Sequence, residues 1–81
     1  MIDYVMNAIY AYVRSYKRDD FKEYFLGRLH AIIKDTGAEV ELYIQDLTPF
    51  ISIRVDNSSF TDTIPIDTYE ILKEALYVRS E

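Results

Sequence analysis

The pattern between residues 40 and 55 constrains this chain more than any other feature. Val40, Leu42 and Ile44 alternate with Glu39, Glu41 and Tyr43, and Ile51, Ile53 and Val55 alternate with Phe50, Ser52 and Arg54. A period of two is the signature of a strand with one buried face. The turn-like segment Asp46-Leu47-Thr48-Pro49 separates the two runs, which predicts an antiparallel hairpin. With Leu47-Thr48 at the tip, Ile44 meets Ile51, Leu42 meets Ile53 and Val40 meets Val55. The same register sets Glu41 opposite Arg54, a cross-strand pair worth ~0.2–1 kcal/mol. One register thus satisfies both faces, although Leu-Thr is a poor two-residue turn.

Upstream of Gly37 the period is helical. Ile2, Met6, Ile9, Val13 and Tyr16, widened by Val5 and Tyr12, predict a helix over 2–17. Arg14, Lys17 and Arg18 lie at its end, where cations complement the helix dipole. Asp19 or Asp20 is placed to cap a second helix running to about Asp35, with Glu23 closing a capping box from Asp20. That helix is expected to bury Phe21, Phe25, Leu29, Ile32 and part of Leu26 and Ile33, with Gly37 as its stop. Gly27, in its middle, reads as a point of close approach to the first helix, aligned with Ala31.

Downstream, Asp56-Asn57-Ser58-Ser59 predicts a second turn leading to a third strand from about Phe60 to Ile66. Pro65 cannot donate to a ladder and places this strand at an edge. Asp67 and Glu70 form a capping box for a last helix, which buries Tyr69, Leu72 and Leu76, flanked by Ile71, Ala75 and Val78. Its outward face carries Glu70, Lys73, Glu74 and Tyr77. The order α-α-β-β-β-α, with two N-terminal helices, a three-stranded antiparallel meander and a C-terminal helix, predicts a two-layer α+β domain. With 81 residues, residues 1–81 form a single domain, and folding removes only roughly 60–65% of the unfolded chain's surface.

Several chemistries have no sequence support. Cysteine is absent, which excludes disulfides and thiolate metal sites and suits a reducing cytoplasm. No apolar run approaches the ~20 residues of a membrane span, and the N-terminus lacks the basic region of a signal peptide. Phosphate-loop, nucleophile-elbow and zinc-helix motifs are missing. The stretch 56–62 lacks the spacing of a calcium loop. His30 is the sole histidine and reads as a solvated helix residue. No catalytic residues, cofactor or metal are expected. Asp62 points inward from an edge strand, level with Ile53. It is either a charge that keeps a free edge from pairing or a pocket carboxylate of raised pKa.

Charge supplies the functional expectation. Residues 1–34 carry six basic against four acidic side chains, net +2; residues 35–81 carry ten acids against three bases, net −7, which together give the formal −5. An acidic end attracts cationic surfaces and repels nucleic acid and anionic lipid. The order α-β-β-β-α is shared with double-stranded-RNA-binding domains, whose last helix opens with phosphate-gripping lysines. Here that helix opens Asp67-Thr68-Tyr69-Glu70.

The expectation is therefore a non-enzymatic protein-binding module that docks on a basic surface of another protein. Its binding residues would be Glu39, Glu41, Tyr43, Asp46, Asp67, Glu70, Glu74 and Tyr77, with Phe50 alongside. Glu70 and Glu74 are an i,i+4 like-charge pair whose cost hints at a use. A basic patch is often a nucleic-acid site, so a sharper form is an inhibitor acting by charge mimicry. Small acidic proteins without cysteine are common among phage and mobile-element antagonists of host enzymes, anti-CRISPR proteins included. The alternative is a homodimer or assembly subunit associating through the tyrosine-rich first helix. A nucleic-acid binder using Arg14, Lys17, Arg18 and Lys22 is the third reading; Asp19, Asp20 and Glu23 cancel much of that field.

Overall fold

The computed structural model describes residues 1–77. Its elements are α1 (Ile2–Arg18), α2 (Lys22–Thr36), β1 (Glu39–Gln45), β2 (Thr48–Val55), β3 (Ser58–Thr63) and α3 (Ile66–Tyr77). The three strands form one antiparallel sheet in the order β1-β2-β3, so the expected α+β architecture is what the chain adopts. Val78, assigned to the last helix from its spacing, lies outside the described residues.

Helices cover one face of the sheet. The stripe Val5, Met6, Ile9, Tyr12 and Val13 of α1 is buried against Leu42, Ile51, Ile53 and Val55, together with Leu29 and Ile32 of α2 and Ile71, Leu72 and Ala75 of α3. The other face, set by the strand alternation, carries Glu39, Glu41, Tyr43, Phe50, Ser52 and Arg54, and among the described residues no element covers it. α1 ends with Asp19 in the left-handed region, and its last carbonyls accept the Asp19 and Asp20 amides, at 3.1 and 3.0 Å, the αL-terminated geometry of many helix ends. His30 is not simply solvated: its Nε2 lies 3.0 Å from the Ala75 carbonyl and ties α2 to α3.

The hairpin register differs from the expected one by two residues. The tip is Asp46-Leu47, and the pairs are Ile44 with Pro49, Leu42 with Ile51, and Val40 with Ile53. A slip of two leaves every side chain on its expected face, so the hydrophobic pattern cannot distinguish the registers. Turn chemistry decides. Asp46 and Leu47 have φ of 53° and 66°, both positive as a type I′ turn requires. The cross-strand ion pair accordingly joins Arg54 to Glu39, not to Glu41.

Other local expectations are corrected. β3 ends at Thr63, and Ile66 opens α3 with 56% of its surface exposed. Asp67 then lies inside the first turn, accepts the Thr68 amide at 2.7 Å and makes no capping box with Glu70. The second capping box is absent too, because Phe21, not Asp20, is the N-cap of α2 and no side chain caps it. Phe21 sits at φ 61°, ψ 26°, a region that costs a bulky L-residue about 1–2 kcal/mol, and 72% of it is exposed. A Cβ at Gly27 would meet nothing within 4 Å, so this glycine is not a close-approach point. Asp62 stands opposite Ile51, not level with Ile53, and is exposed. Its carboxylate accepts the Thr63 amide at 2.8 Å, which occupies a backbone donor near the end of an edge strand.

Candidate functional site

The residues expected to form one acidic docking surface divide between two places. Glu39, Glu41 and Tyr43 lie on the uncovered face of the sheet, and Asp46 is in the turn at its end. Asp67, Glu70, Glu74 and Tyr77 belong to α3, which packs on the opposite face through Thr68, Ile71, Leu72 and Ala75.

Two of the four α3 residues, Asp67 and Tyr77, are engaged within the molecule, whereas Glu70 and Glu74 are exposed and enter no ion pair among the described residues. Asp67 pairs with Lys17 at 3.0 Å, and the hydrogen bond from that ammonium holds its carboxyl below the usual carboxylate range. Glu70 and Glu74 border a groove with Tyr16 and Lys73, and Glu74 also flanks Tyr12 and Lys22. Burial pushes the Tyr12 phenol up, with Tyr16, Glu74 and Glu23 adding to the effect. Tyr77 is no free anchor: its hydroxyl accepts the Leu42 amide at 2.9 Å, so α3 closes part of the free edge of β1.

The sheet face is built differently. Tyr43 and Phe50 are register partners, and their rings stack with centroids 5.3 Å apart and planes 8° from parallel. Both are half-buried, and each ring covers one face of the other. Beside them Thr61 donates to the Ser52 hydroxyl at 3.2 Å, and Arg54 pairs with Glu39. Glu41, opposite Ser52, enters no ion pair among the described residues. Ser52 and Thr61 complete this surface without having been singled out in the sequence, and Arg54, expected there as the partner of Glu41, stands on it as the partner of Glu39. For Ser52 the signal was present, since it shares a period-two row with Phe50.

The basic set is likewise committed in part. Lys17 is held by Asp67. Lys22 lies 3.7 Å from Asp19 and 4.9 Å from the centre of the Tyr16 ring. Two of the four cations of the proposed nucleic-acid cluster are thus tied down within the fold.

Among the described residues no group of three or more His, Asp or Glu side chains is placed to hold a metal ion. No helix there is long and apolar enough to cross a membrane. Comparison with known proteins yields no matching family model, no matching curated sequence and no matching solved structure.

Proposed function

We propose that the chain is a non-enzymatic protein-binding module that docks through the uncovered face of its sheet. The observation that supports this reading is the Tyr43–Phe50 stack, two parallel aromatic rings on a face that none of the described helices covers. Aromatic side chains supply contact area at low entropic cost and are enriched at interface hot spots. Glu41 beside the stack and Asp46 at its end select a cationic partner surface. Where that partner surface handles nucleic acid, occupancy blocks it, which is the inhibitor form of the same reading.

Size sets a condition on this interface. Three strands at ~4.8 Å spacing and about seven residues at ~3.3 Å each span on the order of 300 Å². A specific complex needs about 800 Å² per partner. The contact must therefore run over the sheet's ends, which brings in the Asp46-Leu47 turn and the Glu39–Arg54 pair.

The test is affinity capture from native lysate with wild type, Glu41→Lys, Phe50→Ala and a Glu70→Lys, Glu74→Lys double variant, each checked for folding by circular dichroism. The expected result is a stoichiometric, salt-released partner lost with the first two variants and retained by the last. Loss with the α3 variant alone would overturn the assignment to the sheet face. A second reading, self-association through α1, draws on Tyr4 and Tyr10, which are 49% and 45% exposed on that helix. A concentration-dependent mass in light scattering that Tyr4→Ser and Tyr10→Ser abolish would favour it.

A further inference from the structure

Where α1 hands over to α2, four side chains of two kinds face one cleft. Arg14 and Arg18 stand one turn apart on α1, and Phe21 and Phe25 stand one turn apart at the start of α2. The cleft holds about 140 Å³ and is floored by Ala11 and Ser15. We propose that it binds a phosphate monoester carried on a flat ring, with the phosphate between the two guanidiniums and the ring against Phe21. This site is separate from the sheet face and does not depend on the reading given above.

Availability of charge is the first argument. Lys17 is held by Asp67 at 3.0 Å, whereas Arg14 enters no ion pair among the described residues, and Arg18 meets Asp20 only at 3.9 Å. Ser15 donates its hydroxyl to the Tyr12 carbonyl, so the floor makes no competing demand on the arginines. Guanidinium forks match phosphate oxygens in pairs. Side chains at i and i+4 lie close enough to converge on one group. A phosphate monoester, with about −1.5 to −2 charges and three acceptor oxygens, uses two forks more fully than a carboxylate does.

Phe21 is the second argument. It occupies the left-handed region at a helix N-cap, where Asp, Asn, Ser or Gly is strongly preferred, and it is 72% exposed. The fold therefore gives up both a cap and the burial of a phenyl ring at this position. Bulky residues held in such conformations concentrate at ligand-binding sites. Phe25, one turn on, is fixed edge-on by Tyr24 at 5.0 Å and leaves Phe21 as the open platform. Stacking of a base on an aromatic side chain strengthens binding about 5- to 150-fold.

The third argument sets the ligand's size. The chain's net charge of −5 repels a long polyanion, and the cleft has room for a phosphate group while the ring stays at its mouth. Asp20 lines the same cleft and competes for Arg18, so an incoming phosphate takes the place of that carboxylate.

The test is a titration of the ¹⁵N-labelled chain at low salt with phenyl phosphate, AMP, inorganic phosphate and adenosine, following backbone amide shifts. Shifts confined to Ala11–Phe25, with AMP or phenyl phosphate bound at least fivefold tighter than inorganic phosphate or adenosine, are the expected result. The stronger of the two ring-bearing ligands identifies the ring as a nucleobase or a phenol. Arg14→Gln and Arg18→Gln should each weaken binding about tenfold, and Asp20→Asn should tighten it. Phe21→Gly, which removes the backbone strain and so preserves the fold, should weaken the ring-bearing ligands while leaving inorganic phosphate unchanged. Absence of shifts at ~10 mM ligand, equal binding of phosphate with and without the ring, or indifference to Phe21→Gly would each overturn the proposal.

Discussion

Leu47→Gly should stabilise this protein, although it deletes a leucine. Leu47 is the second residue of the Asp46-Leu47 turn, at φ 66°, and is 96% exposed. Its side chain therefore contributes no burial to the folded state, while its Cβ strains a left-handed backbone by about 1–2 kcal/mol. Glycine removes that strain and completes an Asp-Gly turn, a favoured type I′ pair. Against this stands the greater freedom of glycine in the unfolded chain, about 0.5–1 kcal/mol. The net gain is about 0.5–1 kcal/mol. With a urea slope of ~1 kcal/mol/M for a small domain, the midpoint should rise ~0.5–1 M, and Tm should rise by about 3–6 °C. Leu47→Ala is the control. Alanine keeps the Cβ and the strain, so its midpoint should stay near wild type. If alanine stabilises as much as glycine, the effect comes from losing the leucyl side chain and the backbone argument fails. If glycine destabilises, Leu47 makes contacts that outweigh its conformation, and the argument from backbone strain fails.

Three further substitutions test other parts of the structure. Gly27→Ala, in the middle of α2 with open space around it, should stabilise by about 0.8–1 kcal/mol in the same urea assay; a loss would restore the close-approach reading. Tyr77→Phe removes the acceptor of the Leu42 amide and should cost about 0.5–1.5 kcal/mol, with faster hydrogen exchange at Leu42 than at its neighbours. Asp67→Asn tests the ion pair with Lys17. Because the folded-state pKa of Asp67 is depressed, its contribution is present above the unfolded value near ~4 and is lost as pH falls through the lower folded value. Wild type should thus exceed Asp67→Asn in stability at pH 7, the two should converge in acid, and Lys17→Met should abolish the difference.

The fold was legible because its elements announce themselves by period. The α1 stripe, the two alternating strands and the α3 stripe each place apolar residues on one face, and burial of Ile9, Ile53 and Leu72 follows from that spacing. What spacing cannot carry is a translation by a whole period. The hairpin slipped by two residues because the chain reverses at Asp46-Leu47, both at positive φ, and nothing in the apolar alternation opposes a slip that preserves faces. Phe21 failed for a related reason. Four residues before Phe25, it continues the apolar stripe of α2, yet α1 ends with Asp19 in the left-handed region and the chain re-enters helix through Phe21 in the same region. That double reversal turns the ring outward. The helical period describes residues inside a helix and has no authority over the residue that starts one.

The candidate site was less legible because a count of charges does not know which of them meet. Ten acids in residues 35–81 suggested one acidic surface, yet strand alternation sends Glu39 and Glu41 to one side of the sheet while α3 carries Glu70 and Glu74 on the other. Asp67 and Lys17, fifty residues apart, neutralise each other where α3 begins beside the end of α1. Glu39 neutralises Arg54 across the hairpin. The pairs Lys17–Asp67, Lys22–Asp19 and Arg54–Glu39 remove three acids and three bases from the surface balance, and what they leave differs in kind from what the sum implied. On the sheet face the remainder is one carboxylate, Glu41, beside two stacked rings. At the α1–α2 junction it is Arg14, with Arg18 loosely held, beside a strained phenylalanine. Each pairs an uncommitted charge with an exposed aromatic surface. In a domain this small, such places are where charge can act on something other than the protein itself.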